Sequence, residues 1–288
     1  MKITSAACLL VAAFGVAIGA VPSREQIKFD LGQLSLTAVA WGQGETVILL
    51  PGLGRSADSF ETFGPELASR GFRVIALNPR GVSGSTGELK GLTLHDYASD
   101  VAQVIRKVSK APAHLVGWAQ GNRIARTAAA DHRDLVQSVV LIAAGGKVPG
   151  DPEASLALGR LQEPGLSDDE RRRLLSVALF APGFDPSPFI SLWSSIQTEA
   201  RAAQAAANQV TPLSDWWAGG VAPLLVIQGL QDRIAPMANG RALKDEVGSR
   251  AQLIEVENAG HAVLLEKPVV VLNHVVTFLK AHSIEKLQ

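Results

Sequence analysis

A chain of 288 residues is one large domain or two small ones, long enough to bury a full hydrophobic core. Its 27 basic and 27 acidic residues cancel, which leaves no excess charge to neutralise nucleic-acid phosphates, and 47% hydrophobic against 19% charged residues excludes a disordered chain. The single cysteine, Cys8, excludes an intramolecular disulfide framework and a cysteine-based zinc site.

The N-terminus places Lys2 before an apolar run from Ala6 to Val21, with small residues at Ala17, Gly19 and Ala20. This is the pattern of an export signal over residues 1–20; at about 16 residues the run is short for a membrane span. Removal of the signal takes Lys2 and Cys8 with it. The mature chain then has one net negative charge and no thiol, which suits a periplasmic or secreted protein. No second long apolar run follows, so no membrane association is expected after signal removal.

Ile27 to Trp41 alternates weakly around Gly32 and Gln33 and predicts a hairpin. A repeated rhythm then begins. Thr46–Leu50 reads as a strand, Ser59–Arg70 as a helix, Phe72–Leu77 as a strand and Thr93–Val108 as an amphipathic helix. His114–Trp118 is a strand, Gln120–Ala130 a helix and Val136–Ala143 a strand. Strands alternating with helices predict an α/β fold: a mostly parallel central sheet with helices on both faces. From residue 146 to 220 strand-like runs disappear, Ser167 caps an acid-led helix, and an Ala-rich helix covers Glu199–Asn208. That segment predicts a helical cap inserted into the sheet, between core segments 21–145 and 221–288. The rhythm resumes with a strand at Pro223–Gln228, a helix at Asn239–Val247, a strand at Ala251–Val256 and a closing helix at Val269–Ala281.

The chemistry concentrates at Val116-Gly117-Trp118-Ala119-Gln120-Gly121-Asn122, between a strand and a helix. Two glycines permit a sharp turn that lifts the residue between them to the positive end of the helix dipole. The lifted residue is Ala119, which has no nucleophilic atom. Downstream, the strand Leu224–Gln228 leads to Asp232, and Asn258-Ala259-Gly260-His261 with Glu266 and Pro268 follows the next strand. An imidazole acting as a base needs a carboxylate to fix its tautomer, so Asp232 and His261 are a candidate pair. Upstream, Pro51-Gly52-Leu53-Gly54 ends the first central strand, and the Leu53 and Gln120 N–H groups are candidates for an oxyanion hole.

These four ordered motifs resemble the α/β-hydrolase superfamily over Thr46 to Ala281. The loop Asn78-Pro79-Arg80-Gly81-Val82-Ser83-Gly84-Ser85 resembles a further family segment, with Asn78 in place of its aspartate and Ser83 in place of a glycine. The resemblance implies a nucleophile at position 119, where this chain has alanine. That alanine is read as natural, because the chain retains an export signal that a trapped Ser→Ala variant would normally lack. Three functions stay open: an enzyme using His261–Asp232 as a general-base dyad without a covalent intermediate, a hydrolase with residual rate, and a non-catalytic small-molecule binder. The expected ligand is a small apolar ester, lactone or amide, with no cofactor and no metal. Trp118, Trp216, Trp217 and Phe184 are the candidate binding aromatics. Ser56, Ser83 and Ser85 are weaker candidates for a surrogate nucleophile. Nothing in the sequence fixes an oligomeric state.

Overall fold

The computed structural model describes residues 22–284 apart from residue 195. The predicted export signal lies outside the described residues. β1 (Glu25–Asp30) and β2 (Ser35–Trp41) form the expected hairpin. β3 (Glu45–Leu50), α1 (Phe63–Ala68), β4 (Phe72–Leu77), α2 (Leu94–Val108), β5 (Ala113–Trp118), α3 (Gln120–Asp131) and β6 (Val136–Ile142) follow. Five further helices come next: α4 (Pro152–Arg160), α5 (Asp168–Ala178), α6 (Ile190–Ser194), α7 (Thr198–Val210) and α8 (Leu213–Trp216). The sheet is completed by β7 (Leu224–Gly229), α9 (Met237–Val247), β8 (Ala251–Val256), α10 (Val263–Glu266) and α11 (Pro268–Ala281).

The eight strands run in the order β1-β2-β4-β3-β5-β6-β7-β8, and from β4 to β8 every pair is parallel. Strands β3, β5 and β7 are buried almost throughout, as a sheet covered on both faces requires. One core cluster joins the sheet to α1, α11 and the cap; the other joins it to α2, α3, α8 and α9. Strand order reverses around β3, which has β4 on one side and β5 on the other. The carboxyl ends of strands at such a reversal open a crevice for ligands.

The predicted helix Ser59–Arg70 is instead a 3₁₀ turn at Ala57–Phe60 followed by the short α1. Pro65 explains the break. It has no N–H to donate to Glu61, so it is tolerated only in the first turn of a helix that starts late. The loop carrying Asn78 and Ser83 keeps its shape by other means. Asn78 accepts from the Ala57 N–H at 2.7 Å and donates to the Thr37 hydroxyl at 2.9 Å, two roles that a carboxylate could not combine. Ser83 takes the left-handed conformation (φ 46°) that favours glycine. Arg80 closes the loop with a bidentate pair to Asp100 at 2.6 and 2.8 Å.

Candidate active site

The register of the strands brings the motifs together. Leu50 pairs with Gly117, so the loop after β3 lies beside the turn after β5, and Gly229 pairs with Val256, so the loops after β7 and β8 are neighbours. At the β5–α3 turn Ala119 adopts φ 50° and ψ −108°, outside the ordinary region for an L-residue. Such a conformation costs on the order of 1–3 kcal/mol and survives only where the surroundings enforce it. The glycines enforce it: a Cβ on Gly121 would stand 1.9 Å from the Leu50 carbonyl oxygen, and one on Gly117 would stand 2.4 Å from the Asn122 nitrogen. The chain holds this strained turn although alanine brings no reactive atom to its tip.

His261 and Asp232, both buried, meet at the other side of the cavity. The imidazole Nδ1 lies 2.9 and 3.1 Å from the two Asp232 carboxylate oxygens. The carboxylate is itself fixed, because Oδ1 accepts from the Ile234 and Ala235 N–H groups at 2.9 and 2.7 Å. Oδ2 accepts from the Gln228 side-chain amide at 3.0 Å. With Nδ1 engaged, Nε2 is the ring nitrogen left for chemistry. Gln228 also accepts from the Ala144 N–H at 2.9 Å, which ties the dyad to the end of β6. On the next loop Glu266 accepts from the Gly260 N–H at 2.8 Å and from the Ala181 N–H of the cap at 2.7 Å. Burial pushes the Glu266 carboxyl above its ordinary range. Gln228 and Glu266 position the dyad, yet from the sequence each reads as part of a strand or a loop motif.

Leu53 and Gln120 stand in the two loops that flank Ala119. Among the described residues neither backbone N–H has a hydrogen-bond partner. Gln120 begins α3, where the first amides are always free of intrahelical partners. Its side chain makes a reciprocal amide pair with Asn208 of α7, at 2.9 and 2.7 Å. Gly54 donates to the Gln204 side chain at 2.9 Å and accepts from Gln197 at 3.0 Å. The cap is thus stapled to both candidate oxyanion loops.

A cavity of about 70 Å³ lies among Gly52, Leu53, Ala119 and His261, under Leu158, Leu179 and Ile196. Trp118 and Trp193 form one wall, edge to face with ring centroids 6.4 Å apart. The Trp118 indole also donates to the His261 carbonyl at 3.3 Å. Three polar side chains without a place in the sequence reading complete the lining: Arg55, Gln162 and Arg201. Arg55 follows the oxyanion loop by two residues, a signal that sequence alone could have offered. Arg201 and Gln162 come from cap helix α7 and the loop after α4, and nothing in their spacing announces the cavity.

The other expected aromatics do not line it. Phe184 stacks with Phe180 and Phe189 inside the cap, at centroid distances of 5.1 and 6.2 Å. Trp216 and Trp217 pack behind α3, where the Arg126 guanidinium lies 4.5 and 5.1 Å from their rings. The segment carrying them leaves the cap and joins the opposite core cluster. Aromatic rings at helical spacing announce burial but not the face they bury against. Ser56, Ser83 and Ser85 also lie outside the cavity lining.

Residues 45–268 match the family of the alpha/beta hydrolase fold, and the chain belongs to it. It is 36% identical over 115 residues to a 2-(acetamidomethylene)succinate hydrolase of Mesorhizobium japonicum, a match covering 40% of this chain and 41% of that relative. It is 27% identical over 259 residues to a pimeloyl-[acyl-carrier protein] methyl ester esterase of Chromobacterium violaceum, covering 81% of this chain and 93% of the relative. Among solved structures it is similar to the enol-lactonase of Burkholderia xenovorans LB400. That likeness has a TM-score of 0.74 at 21% identity and covers 88% of this chain and 100% of the other.

Proposed function

We propose that the protein is an exported enzyme that hydrolyses a small ester, lactone or amide without a covalent intermediate. The observation that carries this reading is the His261–Asp232 contact at 2.9 Å, with the imidazole in the wall of the cavity that Ala119 floors. Neutral His261 would take a proton from water at Nε2 as the oxygen attacks the carbonyl carbon. Asp232 would stabilise the resulting imidazolium while the Leu53 and Gln120 N–H groups hold the oxyanion. Collapse of the tetrahedral intermediate would return the proton to the leaving oxygen or nitrogen. Leu158, Leu179, Ile196 and Trp193 suit the apolar part of such a substrate. Relatives named as hydrolases and as an esterase support the reaction class.

The test is turnover of small esters, lactones and amides by the wild-type chain and by His261→Ala. Loss of the base should lower the rate by about 10²–10⁴-fold. An active protein indifferent to His261→Ala would defeat the dyad. Tight binding of these compounds with no turnover would favour a receptor.

A further inference from the structure

Arg55 is 7% exposed, and its guanidinium lies over two indole rings, 4.2 Å from the Trp193 centroid and 5.4 Å from Trp118. Its Nε donates to the Ser59 hydroxyl at 3.1 Å, while Nη1 is buried without a hydrogen-bond partner. Burial pushes its pKa down to about 10, so it remains cationic at neutral pH. Arg201 lines the same cavity half-buried, and among the described residues no carboxylate forms an ion pair with either guanidinium. Gln162 brings a third buried donor, its Nε2, also without a partner.

Two other inward-facing arginines, Arg80 and Arg126, are not left in this state, whereas Arg123, 5.1 Å over the Trp216 ring, also has no ion pair among the described residues but lies away from the cavity. Arg80 has the Asp100 carboxylate, and Arg126 spends its donors on Asn122, Gly145 and Trp217. An uncompensated buried cation is costly, and a fold that keeps one beside a cavity has a use for it there. Donors converge on this cavity and no carboxylate lines it; the side-chain acceptors in its lining are the imidazole and the Gln162 amide oxygen. The planar guanidinium fork matches a carboxylate in particular.

We propose that the cavity over Ala119 binds a substrate carboxylate between Arg55 and Arg201, with Gln162 as a third donor. The substrate is then a compact ester, amide or lactone that bears a free carboxylate near its scissile carbonyl. This rests on the reading of the cavity as the substrate site, but it concerns binding and not turnover.

The experiment measures affinity by calorimetry and by fluorescence of the flanking tryptophans, in a buffer without phosphate. The probes are the half-esters monomethyl malonate, monomethyl succinate and monomethyl glutarate, each against its dimethyl ester. At least one half-ester should bind about tenfold or more tighter than its neutral diester, as a charge-assisted hydrogen bond gives. Arg55→Met and Arg201→Met should each abolish that preference. Equal affinity for half-ester and diester, or a preference that survives both substitutions, would overturn the clamp. Tighter binding of inorganic phosphate than of every half-ester would overturn the carboxylate assignment. Selective binding with no hydrolysis would support the clamp and count instead against the hydrolytic reading.

Discussion

Two arginine–tryptophan clusters flank the β5–α3 turn, and they resolve in opposite ways. Behind α3, Arg126 lies against Trp216 and Trp217 and is fully buried. Its donors reach the Asn122 backbone and side-chain oxygens and the Gly145 and Trp217 carbonyls, at 2.7 to 3.3 Å. Over the cavity, Arg55 lies against Trp118 and Trp193 and keeps a buried nitrogen unpaired. The residue types and stacking are alike, so composition cannot separate the two. What separates them is the guanidinium: Arg126 spends its donors on oxygens within the chain, although the Trp216 indole N–H beside it is buried without a partner, whereas Arg55 keeps Nη1 unpaired next to a cavity. A guanidinium closed on backbone and amide oxygens holds the fold together; one left open beside a cavity awaits a ligand.

That contrast is sharpest in stability. Arg126→Met would strand several buried carbonyl and amide oxygens and should cost about 1–3 kcal/mol or more, read as a lowered denaturation midpoint. Arg55→Met removes a cation without a counter-ion and should change stability by less than about 1 kcal/mol, while altering ligand binding. Similar losses from both substitutions would erase the distinction drawn between them.

A third buried base sharpens the comparison through pH. His114 is buried in β5 next to Ser138, whose hydroxyl lies 2.8 Å from Nδ1, and burial pushes its pKa down to about 4 despite the nearby Glu45 carboxylate. The unfolded chain takes up this proton near pH 6.5, whereas the folded chain resists until about pH 4. Stability should therefore be full above about pH 6.5 and fall on acidification towards pH 4, by up to about 3 kcal/mol. Denaturation at stepped pH, with His114→Gln as the control that flattens this part of the profile, checks it. An unchanged slope in the variant would remove His114 from the account.

Much of this was legible in the sequence because periodicity reports burial. Strands buried on both faces gave continuous apolar runs, and the two glycines around Ala119 marked a turn that steric contact with Leu50 makes obligatory. Asp232 and His261 were found because each follows a strand end, and parallel pairing of β7 with β8 places such loops side by side. The cavity polarity was not legible. Arginines in a loop and on an Ala-rich helix look solvated, and only the hydrogen bonds from Gly54 and Gln120 to α7 bring that helix over the site. Trp216 and Trp217 misled for the complementary reason, since a hydrophobic signal does not say which face of α3 it covers.

The central claim is that His261, Asp232 and the β5–α3 turn form competent catalytic geometry with only the nucleophile missing. The most direct measurement is labelling of Ala119→Ser by a fluorophosphonate probe, with the wild-type chain alongside. The account predicts covalent labelling of the variant, burst kinetics on p-nitrophenyl acetate, and no labelling of the wild type at this site, since Ala119 and His261 line the same cavity and a serine hydroxyl activated by the imidazole is the group such a probe traps. A folded Ala119→Ser variant that neither labels nor turns over would contradict it.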